Sequence, residues 1–320
     1  MKLREPSISP RPLSVGAGIK PEAETYTNRR IENIRGTDPC RGIVKWSAGK
    51  SLWLTGMTAG WLTVGTVFFA WDAVLLFLAS SAITLCGGHS LGMHRKLIHD
   101  SYACPDWLEK IGVYLGTLVG LGGPFTMMYT HDMRDWAQRQ SRCHDFFSHR
   151  QSMLVDGWWQ LHCKLHLDQP PVFRFPTRLT ESRFYTFIER TAMWQQLPWA
   201  ILFFFIGGWG WVAWGVCGRV SVSIMGHWLI GYFAHNRGHQ DWRVEGACVQ
   251  GYNVRFCGLL TFGECWHNNH HAFPNSAQIG LYRGQADPGW WMLKCLEKLE
   301  LISDLKQPRD LPMRPELTSM

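Results

Sequence analysis

The chain has 320 residues, of which 46% are apolar and only 18% charged, and it holds 18 tryptophans. Its mean hydropathy is nevertheless near zero, because polar and apolar stretches are segregated along the chain, which excludes an ordinary soluble globule. The formal charge of +7 comes with no basic run interleaved with aromatics, which excludes a nucleic-acid site, and ten scattered cysteines without a C-x-x-C pair exclude a disulfide scaffold or zinc knuckle.

In chain order, residues 1–48 are polar and rich in Pro, Ser and Arg, lack the apolar core of a signal peptide, and read as a mobile cytoplasmic tail. Residues 49–320 read as a single membrane domain. Runs 51–71 and 73–94 are uncharged and separated only by Asp72. Each is about the 20 residues needed to cross a hydrocarbon core, so they predict a tight helical hairpin. Residues 107–128 are partly apolar but broken by Gly122, Gly123 and Pro124, which suits a segment at the interface rather than a fifth span. A second pair of spans is expected at 197–218 and 220–236, with Arg219 in the outer loop between them.

With that topology every Lys and Arg except Arg219 lies on one side, and cations beside spans are retained in the cytoplasm. Both termini and a helical cap built from 95–190 and 237–306 are therefore expected there, resting on anionic membrane lipid. The expected fold class is an all-α integral membrane protein: four transmembrane helices beneath a cytoplasmic cap carrying a histidine-rich metal site.

All 14 histidines lie between residues 89 and 271. They gather in "GHSLGMHRKLIH" (His89, His94, His99), "GHWLIGYFAHNRGH" (His227, His235, His239) and "GECWHNNHHAFP" (His267, His270, His271). Imidazoles at span ends are costly unless they face a partner. Converging nitrogens with few carboxylates suit a transition metal such as iron rather than calcium or magnesium. On a helix, H-x-x-H-H can turn all three of its histidines toward one centre.

The stretch "GECWHNNHHAFPNSAQIGLYRGQADPGWWMLKCLEKLELISDLKQP" closely resembles the C-terminal region of membrane fatty-acyl desaturases of the Δ9 type, in both their acyl-CoA and acyl-lipid branches. "HRKLIH" is similar to that family's first histidine box, H-R-x-x-x-H, and "FAH" at 233–235 to its extra ligand region on the fourth span. The resemblance covers roughly residues 50–306. It implies a cap in which histidines hold two irons that activate O2, abstract hydrogen from a methylene pair of a long acyl chain linked to CoA or lipid, and leave a cis double bond. Electrons would come from a separate donor, a ferredoxin or a b-type cytochrome with its reductase. The chain's lack of G-x-G-x-x-G and haem-type motifs is consistent with that.

The second box departs from the family. There the pattern is R-D-H-R-x-H-H, whereas "HDMRDWAQRQ" keeps Arg134-Asp135 and places Trp136, Arg139 and Gln140 where three ligands belong. The family's Asn four residues before the fourth-span histidine is replaced by Gly231. Six ligands carry over: His94, His99, His235, His267, His270 and His271. Candidate substitutes, as ligands or as residues that orient them, are His89, His131, His227, His144 and His149. His162, His166 and His239 read as an amphipathic cap surface. Two readings stay open: an oxygen-dependent desaturase, or a hydroxylase of the same architecture, with a rearranged site; or a non-catalytic or single-metal relative that binds lipid in a regulatory role.

Overall fold

The computed structural model describes residues 28–320. Residues 28–48, expected within the tail, are tied to the cap: β1 (Ile31–Glu32) and β2 (Gly42–Trp46) each pair with a later strand. Helix α1 (Ala48–Val67) starts at Ser47, whose hydroxyl caps the Lys50 N–H. After a three-residue turn, α2 (Trp71–Ala82) runs without a break into a π-helical segment, Ile83–Ile98.

That π-helix is what the spacing of His94 and His99 requires. Five residues of α-helix rotate by about 500°, which would leave these two roughly 140° apart. The i→i+5 repeat of a π-helix instead brings such residues back toward one face, and the His99 N–H donates to the His94 carbonyl at 3.1 Å in that pattern.

Helix α3 (Asp106–Thr117) spans only about 18 Å, too short to cross a membrane. It lies directly on the π-helical segment through glycines. A Cβ on Gly92 would sit 2.3 Å from the Gly112 carbonyl carbon, and one on Gly88 would sit 2.3 Å from that of Leu115. Gly88/Gly92 and Gly112/Gly116 thus form facing small-x-x-x-small ridges. Gly92→Ala is expected to lower stability by about 1–3 kcal/mol through overpacking against backbone, measurable as a fall in thermal unfolding midpoint in detergent.

The rest of the central cap comprises α4 (Pro124–Gln138), the one-turn α5 (Asp145–Ser148), α6 (Met153–His162), β3 (Cys163–Leu167), β4 (Val172–Phe173), the short α7 (Thr177–Thr180) and α8 (Arg183–Thr191). β2 pairs with β3 antiparallel from Gly42↔Leu167 to Trp46↔Cys163, and β1 pairs with β4. The fold is mostly helical, but the all-α expectation is corrected by these ladders, which satisfy the backbone of segments crossing the cap between helices.

Helix α9 (Gln196–Val212) contains Gly208 at φ 66°, ψ −159°, and there the chain reverses. Its second limb continues through a π-helical segment, Ala213–Gly218, into α10 (Arg219–Asn236). The reversal is proved by a side-chain bond: Arg219 Nη2 donates to Gln196 Oε1 at 2.6 Å. In a straight helix those residues would be about 35 Å apart. The predicted boundary at Arg219 is therefore corrected. Arg219 is buried inside the bundle, bonded also to the Gly215 and Leu118 carbonyls, and the turn is made at Gly208, where a positive φ favours glycine.

The two hairpin tips meet at one end. The Trp211 indole donates to Asp72 at 3.0 Å, and a Cβ on Gly210 would lie 2.5 Å from the Phe68 carbonyl oxygen. Among the described residues, two helical stretches are long and apolar enough to cross a membrane, Trp71–Ile98 and Met193–Asn236, the second being the reversed one.

At the opposite end, β5 (Trp242–Val244) pairs with β6 (Leu317–Ser319), flanking α11 (His267–Ala272) and α12 (Pro288–Lys298). The guanidinium of Arg95, fully enclosed, holds this C-terminal region to the π-helical segment: it donates to Asp287 Oδ1 and to the Ala277 carbonyl, both at 2.7 Å. Asp287 in turn accepts from the N–H groups of Ile279, Gly280 and Trp290.

Candidate metal centre

Two groups of histidines meet where the π-helical segment, α4, α10 and α11 converge. His94, His99, His131 and His270 form one group, and His235, His267 and His271 form the other. Within each group the candidate ligand nitrogens lie within 4.8 Å of one another. The groups adjoin, with the His267 and His270 rings 5.6 Å apart. The third histidine box is thus divided between two groups rather than turned toward the single centre its spacing suggests. On α11, His267 and His271 share a face at i and i+4 and turn toward His235, while His270 turns toward His94 and His99.

Their rings are oriented from behind. His94 Nδ1 is 2.7 Å from Glu264 Oε2, whose other oxygen accepts from Ser90. His131 Nδ1 is 3.3 Å from Asp132 Oδ1, and Arg30, from the N-terminal segment, holds the second Asp132 oxygen at 2.5 Å. His235 Nδ1 donates to the Gly231 carbonyl at 2.7 Å. Each of these three rings therefore has its Nε2 left for the centre, the arrangement in which outer partners fix the tautomer of a ligating imidazole.

The Nε2 atoms then crowd together: His99 with His131 at 3.3 Å, and His267 with both His235 and His271 at 3.1 Å, while the buried His270 Nε2 has no hydrogen-bond partner. Burial first, then neighbouring imidazoles, hold His99, His267, His270 and His271 well below the usual histidine range, so they are neutral near pH 7. Neutral imidazole is the ligating form, and seven converging nitrogens suit a transition metal. Asp135 follows His131 by one turn of α4. Burial pushes its carboxyl up, but His131 and Arg139 more than offset this and hold it at about 2, so the centre has an anionic neighbour.

Six-residue α11 is too short to persist alone. The asparagines between its histidines hold it. Asn268 donates to the Trp242 and Gly251 carbonyls and accepts from the Asp241 and Trp242 N–H groups. Asn269 donates to the Ile279 carbonyl and accepts from Asn253, whose own carbonyl oxygen caps the Asn268 N–H.

The other predicted candidates separate. His131 joins the first group, and His149 lies beside the second. His89 and His227 pair with each other, ring centroids 4.9 Å apart, outside both groups. His144 is a helix cap whose Nδ1 accepts from the Phe146 N–H, and His162 bonds Ser51. Glu264, Asp132 and Arg30 went unassigned from sequence, although Glu264 stands three residues before His267. Glu264→Gln is expected to keep the fold but weaken metal retention about 10–100-fold, as loss of an orienting carboxylate does, measured by metal release to a chelator.

No known family profile matches the chain. Individual relatives do. The chain is 33% identical over 257 residues to an sn-1 stearoyl-lipid 9-desaturase of Anabaena variabilis, covering 77% of this chain and 90% of that protein. It is 32% identical over 252 residues to an enzyme of the same description from Synechocystis sp., covering 77% and 76%. It is 30% identical over 251 residues to an acyl-CoA 5-desaturase of Anemone leveillei, covering 77% and 75%. The chain belongs to the fatty-acyl desaturase family. As a desaturase it is an oxidoreductase of lipid metabolism, and its histidine groups are placed where such an enzyme could hold metal.

Proposed function

We propose that this desaturase is an O2-dependent enzyme that introduces a cis double bond into a long acyl chain, carried on CoA or on a lipid. In this reading His94, His99, His131 and His270 hold one iron, and His235, His267 and His271 hold the other. The observation that carries it is the pair of adjacent groups of inward-turned imidazoles at the cap ends of long apolar helices. The two hairpins would make four passes, with the cap and both termini cytoplasmic. The exposed apolar side chains Leu52, Leu62, Leu75, Leu78, Ile201 and Phe205 suit a lipid-facing surface.

Two irons bound there would supply the oxidising power that a methylene C–H bond demands and that no side chain offers. The chain's own contribution is to present neutral nitrogens, fix their tautomers through Glu264, Asp132 and the Gly231 carbonyl, and bury the site. Reducing O2 to two waters takes four electrons. Removing two hydrogens from a methylene pair provides two of them, and the other two would come from the separate donor.

Lipids of a desaturation-deficient host expressing the chain test this reading by product analysis. New cis-monoenes are expected, their position giving the regiochemistry. Hydroxylated chains would redirect the reaction class, and an unchanged profile with iron-loaded protein present would contradict the enzyme reading.

A further inference from the structure

Beside the three-histidine group stands a fourth imidazole held by a carboxylate. His149 is 1% exposed, and its Nδ1 lies 3.0 Å from Asp156 Oδ2, which also accepts from the Trp228 indole at 2.9 Å. With Nδ1 engaged by the carboxylate, Nε2 is the bare nitrogen, and it is buried with no hydrogen-bond partner. A buried polar atom left in that state is costly. The His149 ring is 5.1 Å from that of His235, within the 4.6–5.5 Å that separate the rings of His235, His267 and His271 from one another.

The surrounding sequence makes room for it. A Cβ on Gly231 would lie 4.0 Å from His149 Cε1, so an asparagine there would extend toward the space beside this ring. Gly157 lets α6 approach α10, since a Cβ at that position would be 2.7 Å from Trp228 Cζ2, and this brings Asp156 under His149. The His149 backbone is left-handed at φ 53°, ψ 30°, an uncommon state for a residue with a side chain, and Asn236 Nδ2 holds its carbonyl at 2.9 Å.

We infer that His149 is the fourth ligand of the second metal, oriented by Asp156 and Trp228. Each metal then takes four histidines, and His131 and His149 stand in for two of the three imidazoles absent from the second box. The inference rests on the two-metal reading above and adds a residue that lies outside both histidine groups.

Two variants of the full chain, purified in detergent and loaded with iron, test it by iron per chain across graded chelator concentrations. His149→Phe keeps a ring of similar size and removes the nitrogen. His149→Gly suits the left-handed backbone and opens a space that free imidazole can fill. Both are expected to keep one iron and to release the other more than about a hundredfold more readily than the unaltered chain, beyond the range for loss of an orienting partner. Added imidazole is expected to restore the second iron in His149→Gly. Two irons held as firmly in His149→Phe as in the unaltered chain would overturn the inference, as would loss of one iron from His149→Gly that imidazole does not reverse. An unaltered chain that binds no iron would instead overturn the two-metal reading itself.

Discussion

His131→Ala is expected to empty one metal position and leave the other filled. The residue comes from a helix separate from those that carry His94, His99 and His270, yet its Nε2 is 3.3 Å from that of His99 and its ring is 5.1 Å from that of His94. Nothing else on α4 can replace it. The neighbouring Asp132 is committed to Arg30 and to His131 itself, and Asp135, though anionic, lies a full turn further along. Iron per chain should fall from two to one, and desaturation should fall by more than about a hundredfold, the upper end of what an orienting residue alone contributes. His144→Ala is the matched control: it removes a histidine of the same region whose work is capping a one-turn helix, so both metals should remain.

Restoring the family's second-box histidine is expected to fail. Trp136 is five residues from His131, about 140° around α4, and it faces away from the metal centre. It is 7% exposed, packs with Met133, Ala137 and Phe147, and its indole donates to Asn33 Oδ1 at 2.8 Å. Trp136→His would leave a cavity and a polar ring in an apolar site, at a cost of about 3–5 kcal/mol, without bringing a nitrogen to either group. The unfolding midpoint in detergent should drop by several degrees or more while the iron count does not rise. A variant that gained metal would mean that α4 can rotate and that its present face is not fixed by this packing.

These two cases show where the sequence was sufficient and where it was not. His94 with His99, and His267 with His270 and His271, could be singled out because each set sits on one short stretch, and His235 could be singled out through the family resemblance; how they divide into two groups could not. The candidate on α4 could not be singled out, because whether His131 or Trp136 faces the centre depends on the helix's rotation. Contacts from far along the chain set that rotation: Asn33 to Trp136 and Arg30 to Asp132. For the same reason the N-terminal segment read as tail, since two-residue and five-residue strands in polar sequence signal little until their partners at 163–173 are in place.

The turn of the second hairpin is hidden in the sequence for a different reason: Arg219, the one charge in the apolar run, draws the expected turn to itself, whereas the chain reverses at Gly208. A buried arginine satisfied by Gln196 and two carbonyls looks, in sequence, like a loop cation. The splitting of His267 and His271 from His270 also follows from tertiary structure: the asparagine network sets α11 between two groups of partners instead of against one.

The central claim is that this departed second box still belongs to a two-metal desaturase. It is tested most directly by counting metal in the full chain purified in detergent from iron-supplied cells. Two irons per chain are predicted. No iron, or a single zinc, would contradict the account.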